Sequence, residues 1–201
     1  MQERNAVPPA RQPSSEASAS LARRLAHLSE TRGTDAIPEL RHELSHPDPW
    51  VRMHVIEGLA SIDHLDARAA LAAALHDESF GVHMEAARTL AARGRPGVEA
   101  VLQELVRGTP TTSSLHGAAY VLRHARLSPV ERSIVAPVAE ALRRPVADLE
   151  APIAAFPALA GLAPELVTET GAPEPWYRGL NRRRGPHGRT FAPISRDDTT
   201  P

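Results

Sequence analysis

The sequence contains no cysteine and no lysine, and only seven of its 201 residues are aromatic. Without cysteine the chain can form no disulfide, no thiolate metal site and no cysteine nucleophile. All 23 basic residues are arginine, which we attribute to codon bias in a GC-rich genome and which makes us expect a bacterial source. The arginines nearly balance 24 acidic residues, so the net charge of −1 creates no global field that would steer the chain to nucleic acid or membranes.

Long apolar runs are also missing. The longest uncharged stretch, residues 151–164, has 14 residues and contains prolines, so it is too short and too interrupted to span a bilayer. The first 20 residues lack the apolar core of a secretory signal. We therefore expect a cytoplasmic protein, which leaves room for peripheral attachment to a membrane complex.

Composition divides the chain into three parts. Residues 1–18 hold prolines and serines with almost no large apolar side chain, which predicts a disordered arm. Residues 19–168 are rich in alanine and leucine with helical periodicity, and we assign them to one repeat domain. Residues 169–201 are rich in proline, glycine and arginine, and we interpret them as an extended tail.

The middle part repeats itself. Leu59, Leu90, Leu122 and Leu159 occupy the same place in four similar segments and are separated by 31, 32 and 37 residues. The helices that precede these segments repeat with nearly the same spacing, through Leu40, Leu71, Val101 and Val138. Runs of alternating β-branched residues, which are typical of strands, are missing. The pattern predicts four helix pairs that stack on one another because no single pair can bury its apolar face alone.

The segments DPWVRMHVIEGLASI and ESFGVHMEAARTLAARG resemble HEAT repeats, particularly the type found in phycobilisome lyases. With this resemblance, the expected fold is an all-α, right-handed α-solenoid of about four HEAT-like pairs with an N-terminal capping helix over Ser20–Thr31. The resemblance covers about residues 37–162. It implies a ladder between repeats, made by an aspartate at the turn and an arginine after the first valine, and only the first unit has both, as Asp48 and Arg52.

Some HEAT-like proteins are enzymes, and the resemblance raises three such alternatives. Deoxyhypusine hydroxylases bind two irons through several His-Glu dipeptides, whereas the repeats here supply one, His42-Glu43. Alkylpurine DNA glycosylases hold a base with clustered aromatics, and we interpret Trp50, Phe80, Tyr120 and Phe156 as packing residues instead. Nothing specifies the tetrapyrrole pocket of a bilin lyase. We therefore predict no metal, no cofactor and no catalytic residues.

The second helix of each unit offers a surface for partners. Positions two, three and six residues after its first buried valine face away from the first helices, and in solenoids of this kind the second helices line the concave side. A methionine repeated in one of these columns suits an adaptable apolar contact. The predicted partner-binding residues are Met53, His54, Glu57, Met84, Glu85, Arg88, His116 and Tyr120.

The tail combines aromatic and basic residues in a way that free disordered segments avoid. From Trp176 onward it has six arginines and two aspartates, while the rest of the chain has 17 arginines and 22 acidic residues. An acidic protein groove, the chain's own solenoid and nucleic acid compete as its docking site, and three consecutive arginines give nucleic acid only a small electrostatic footprint. The predicted docking residues are Trp176, Tyr177, Arg178, Arg182, Arg183, Arg184 and Phe191.

These patterns favour a non-enzymatic protein-binding or scaffolding module. We expect an accessory subunit of a larger protein assembly that docks through the concave helix face and the tail. The alternative is a HEAT-like enzyme, or a nucleic-acid-binding protein that uses the arginine-rich tail.

Overall fold

The computed structural model describes residues 15–170. About 82% of these residues are helical, and no strand occurs among them. Two short 3₁₀ turns, Gly33–Ala36 and Ala74–His76, extend the helices beside them. The α-helices are α1 (Glu16–Arg32), α2 (Ile37–Glu43), α3 (Pro49–Ser61), α4 (Leu65–Ala73), α5 (Phe80–Ala92), α6 (Arg95–Arg107), α7 (Thr112–His124), α8 (Pro129–Ala141), α9 (Ala147–Leu162) and α10 (Pro164–Thr170).

The helices begin where short polar side chains can accept backbone N–H groups. Asp48 Oδ1 accepts the N–H of Trp50 at 2.9 Å, which caps α3. Thr111 and Ser128 form capping boxes at the starts of α7 and α8. Each cap satisfies donors that a helix start leaves without a partner, so these residues fix where α3, α7 and α8 begin.

The first three units form the two layers that the repeats predict. Helices α1, α3, α5 and α7 pack on one another in chain order, and α4 packs between α2 and α6 in the other layer. The repeated leucines Leu59 and Leu90 have no exposed surface, and Leu122 is 5% exposed. The prediction of an all-α solenoid is therefore confirmed.

The predicted capping helix is present as α1. It begins at Glu16, four residues before the expected start, because Ser15 accepts the N–H of Ser18 at 3.1 Å and caps it there. Leu25 is fully buried, and α1 packs along α3. The helix thus closes the first end of the stack. The arm predicted over residues 1–18 is therefore wrong for residues 16–18, which are helical, and its residues 1–14 lie outside the described residues.

The fourth unit is present but placed differently. Its second helix, α9, packs against α6 and α8 and makes no comparable contact with α7. The side chain of Arg95, at the start of α6, donates to the carbonyl of Leu162 and holds the end of α9 beside α6. Helix α9 therefore joins the layer of first helices, whereas a regular fourth repeat would place it in the layer of α3, α5 and α7.

Two arginines tie units one and two together. Arg52 is buried and binds the carboxylate of Asp77, in the turn before α5. The resemblance implies an aspartate at the position of Ser79, which aligns with Asp48. The aspartate that Arg52 binds is Asp77, two positions earlier, so the contact between the repeats differs from the implied ladder. Arg93, at the end of α5, donates to the carbonyls of Ala60 and Ile62 at 2.7 and 2.9 Å. Together they fix the two second helices at both ends.

Candidate partner-binding face

The predicted partner-binding residues all lie on α3, α5 and α7, in the layer that these helices share. Glu57, Arg88 and His116 are exposed, and Met53, His54, Glu85 and Tyr120 are partly exposed. The prediction that Met84 contacts a partner is wrong, because Met84 is only 6% exposed. Helix α7 packs along α5, so the column that starts at Met53 does not stay exposed in unit two.

The face in unit one is built on an aromatic–histidine pair. Trp50 packs against the core, and the His54 ring lies on it with ring centroids 4.0 Å apart. His54 Nδ1 lies 2.9 Å from the carbonyl oxygen of Trp50, and Nε2 lies 3.9 Å from the Glu57 carboxylate. Both ring nitrogens thus have neighbours that hold the imidazole in one orientation while its outer side stays partly exposed.

Units two and three are joined across the face by polar contacts. The guanidinium of Arg88 donates to Glu85 at 3.1 Å. This bond raises the pKa of Arg88, and the Tyr120 hydroxyl of the next unit adds to the effect. Tyr120 in turn stacks on His124 with centroids 4.3 Å apart. The contacts form a continuous row from α5 to α7 whose charges stay on the surface.

An exposed aromatic residue stands at the start of α5. The side chain of Phe80 is 63% exposed, and its ring lies 5.3 Å from His83 and 6.1 Å from His116. The interpretation of Phe80 as a packing residue was therefore wrong. We call the surface of α3, α5 and α7 the second-helix face, and it consists of Met53, His54, Glu57, Phe80, Glu85, Arg88, His116 and Tyr120.

The buried side chain of His83 packs against the ring of Phe80. It is 4% exposed, and its Nδ1 lies 3.1 Å from the carbonyl oxygen of Asp77, so an Nδ1–H tautomer donates to that oxygen. Its Nε2 is buried without a hydrogen-bond partner within residues 15–170. In this tautomer Nε2 carries no hydrogen and can accept a hydrogen bond. The His83 ring packs edge to face with the exposed phenyl ring of Phe80.

A comparison with protein families agrees with this architecture. A family model described as HEAT repeats matches residues 10–78 and 37–123, which is more than half of the chain. The chain belongs to the HEAT-repeat family. No curated protein and no solved structure matches it. The matched HEAT repeats include α1 to α7 and hence the whole second-helix face, while α8 and α9 lie beyond them. The phycobilisome-lyase type stays a prediction.

Sequence reasoning missed Phe80 because it sits at a position that differs among the HEAT repeats. The same first helical position is Pro49 in unit one and Thr112 in unit three. A side chain at the first position of a helix precedes the periodic apolar stripe, so periodicity carries no information about its burial. The usable signal was an aromatic residue where the other repeats have small or cyclic ones.

The remaining predicted sites contribute little to the described HEAT domain. His42 is exposed, and no three histidine, aspartate or glutamate side chains in the described part of the chain are grouped as metal ligands. None of the described helices combines the length and apolar character needed to cross a membrane. The tail residues Trp176, Tyr177, Arg178, Arg182, Arg183, Arg184 and Phe191 lie outside the described residues.

Proposed function

We propose that this protein is a non-enzymatic scaffold that binds a partner protein on the second-helix face, as an accessory subunit of a larger assembly. HEAT repeats generally serve as protein-interaction scaffolds. The proposal extends this role to particular residues and commits to one face of the solenoid.

The exposure of Phe80 carries the proposal. Burying a phenylalanine side chain contributes roughly 1.5–3 kcal/mol relative to leaving it in water, and 63% of Phe80 is exposed in the free chain. Aromatic anchors surrounded by polar side chains are typical of the residues that dominate binding energy at interfaces. The ring of Phe80 lies beside His116, and the charged pair of Arg88 and Glu85 lies further along the same helix.

The charges of the domain favour protein over nucleic acid as the partner. Residues 15–170 contain 15 arginines and 20 acidic residues. On the second-helix face Arg88 is paired with Glu85, and His54 lies beside Glu57. A surface that neutralises phosphates needs an excess of basic side chains, whereas mixed, paired charges around an aromatic residue suit a protein surface.

The test compares two full-length variants as affinity baits in the native host. Phe80→Asp places a charge on the second-helix face at the start of α5, and Val130→Asp places one on α8 at a residue that is 69% exposed. We expect the partner to be retained by the wild-type chain and by Val130→Asp and to be lost with Phe80→Asp. If both variants retain the same proteins as the wild type, the partner does not bind at Phe80 and the proposal is wrong.

A further inference from the structure

Helix α9 presents an apolar outer side. Leu149 and Ile153 are 46% and 55% exposed, Pro157 is exposed, and Phe156 between them is partly exposed. These residues follow one another at helical spacing, while Ala151, Ala155, Ala158 and Leu159 on the opposite side are buried. Helix α9 therefore has one apolar side in the core and a second that is uncovered in the described part of the chain.

The two ends of the stack differ in this respect. At the first end, α1 exposes Arg23, Arg24 and Glu30 on its outer side, as a capping helix of a solenoid needs in water. At the other end, α9 has no charged residue between Ala151 and Leu162. A helix that is apolar on all sides is normally covered on all sides, and within residues 15–170 nothing covers the outer side of α9.

A hollow with a charged rim lies beside the uncovered side. It has a volume of about 400 Å³ and is lined by Pro137 and Ala141 of α8 and by Ile153 and Ala154 of α9. Glu140 and Glu150 stand on its rim, and each accepts from one exposed arginine, Glu140 from Arg143 at 3.0 Å and Glu150 from Arg144 at 3.3 Å. An apolar floor with carboxylates at the edge suits a segment that combines aromatic rings with arginines.

We propose that the chain covers α9 with its own residues 172–184, with Trp176 and Tyr177 on the apolar side and Arg178 and Arg182 toward Glu140 and Glu150. Helix α10 packs against α9 and ends at Thr170, so the following segment starts near α9. Trp176 lies six residues later. Six residues of extended chain reach about 20 Å, which approaches the length of about 24 Å that a 16-residue helix such as α9 has.

Composition supports this occupant over a second copy or another protein. Residues 171–201 have six arginines and three acidic residues, opposite in sign to residues 15–170. They also contain three of the seven aromatic residues of the chain. Because the segment is tethered beside α9, its effective concentration there is in the millimolar range, which an untethered partner would have to exceed.

The test uses cysteine cross-linking in the full-length chain, which has no cysteine of its own. One variant carries Ile153→Cys and Gly179→Cys, and the control adds Trp176→Ala and Tyr177→Ala to the same pair. The chain between the two cysteines has the same length in both variants, so a difference in cross-linking rate reports docking of Trp176 and Tyr177. We expect a short bismaleimide to link the two cysteines within one molecule, and the rate to fall at least about tenfold in the control, since an undocked tether supplies only its effective concentration.

Other outcomes overturn the proposal. Equal rates in the two variants would mean that the tether alone brings Gly179 to α9. Covalent dimers as the main product would show that a second copy covers this side. Absence of any cross-link at Ile153 would place the segment elsewhere. A second measurement does not depend on cross-linking: with Trp50→Phe, the fluorescence of Trp176 should shift to longer wavelength on Ile153→Asp and stay unchanged on Val130→Asp, and no difference between the two would contradict docking.

Discussion

The guanidinium of Arg52 and the carboxylate of Asp77 form two parallel hydrogen bonds, Nε to Oδ2 at 2.7 Å and Nη2 to Oδ1 at 2.8 Å. Both side chains are less than a tenth exposed. The remaining nitrogen, Nη1, donates to the carbonyl of His46 at 2.7 Å. The hydrogen bonds that Arg52 donates to Asp77 are the main cause that raises the pKa of Arg52, so the guanidinium stays charged. One arginine thus joins the turn at His46 to the turn at Asp77 in the next unit.

Removing Arg52 should lower the stability of the whole stack. Arg52→Ala leaves a buried carboxylate without its partner, which typically costs about 3–5 kcal/mol. Arg52→Lys should recover only part of this, because an ammonium group cannot make both parallel bonds. The free energy of unfolding, measured by urea denaturation, checks both expectations.

The matched control is Arg88→Ala. The Arg88–Glu85 pair has similar length but is on the surface, with the arginine side chain 59% exposed, so its loss should cost no more than about 1 kcal/mol. If Arg52→Ala and Arg88→Ala are equally mild, the pair between units does not stabilise the stack.

A close helix contact at Gly97 makes a second prediction. A Cβ at this position of α6 would lie 1.9 Å from the carbonyl oxygen of Leu90 in α5. Backbone atoms cannot move aside as side chains can, so Gly97→Ala should destabilise by about 3 kcal/mol or more, at or above the upper end of the usual range for overpacking. Thermal unfolding followed by circular dichroism measures the effect.

Gly81→Ala serves as the comparison for Gly97. The added methyl group would come 3.1 Å from Met53 Cε, the end of a flexible side chain, and alanine favours the helix. This variant should unfold within a few degrees of the wild type. Equal losses in the two alanine variants would show that helix spacing at Gly97 is not what requires glycine.

The repeat architecture could be predicted from the sequence because leucine spacing encodes which side of each helix is buried. Leu59, Leu90 and Leu159 all have no exposed surface, as the spacing requires. The spacing does not encode which neighbour covers that side. Leu159 is buried against a different layer than Leu59 and Leu90, and this depends on contacts such as Arg95 with the end of α9, 67 residues apart.

The sequence predicts which helices carry the candidate site, but it predicts less well which residues of these helices are exposed. His54, Glu57, Glu85 and Arg88 are exposed or partly exposed, as expected. Met84 is buried where α5 and α7 pack on each other, and the periodicity of one helix contains no information on how near its neighbour lies. Phe80 lies before the periodic stripe, so the pattern of apolar residues does not predict its exposure, which only the structure shows.

The place of Arg52 is taken by His83 in unit two, which suggests an engineered test of the pair between units. By alignment of the turns, Thr109 in the third unit corresponds to Asp77 in the second. His83→Arg alone should be strongly destabilising, because it buries a charge without a partner. Adding Thr109→Asp should recover most of the loss. A double-mutant cycle by urea denaturation measures the coupling, and a coupling near zero would mean that the geometry of units one and two is not repeated.

The capping box of α8 predicts a dependence on pH. The backbone N–H of Ser128 donates to Glu131 Oε2 at 2.8 Å, and this bond is the main cause that lowers the pKa of Glu131. A carboxylate with a lowered pKa stabilises the fold above its pKa in the unfolded chain, and the contribution disappears as the pH falls through the folded-state pKa. Glu131→Gln should therefore reduce the melting temperature slightly at neutral pH and not in strong acid. A difference that is the same at both pH values would contradict the assignment.

Binding at Phe80 is the central claim, and the affinity of the isolated partner for full-length Phe80→Ala tests it most directly. Loss of an aromatic anchor that a partner buries costs about 2 kcal/mol or more, so the dissociation constant, measured by calorimetry, should rise at least about thirtyfold while the melting temperature stays that of the wild type. Val130→Ala should leave the affinity unchanged. A dissociation constant for Phe80→Ala within about twofold of the wild-type value, close to the few tenths of a kcal/mol expected of a residue outside the contact, would contradict the account.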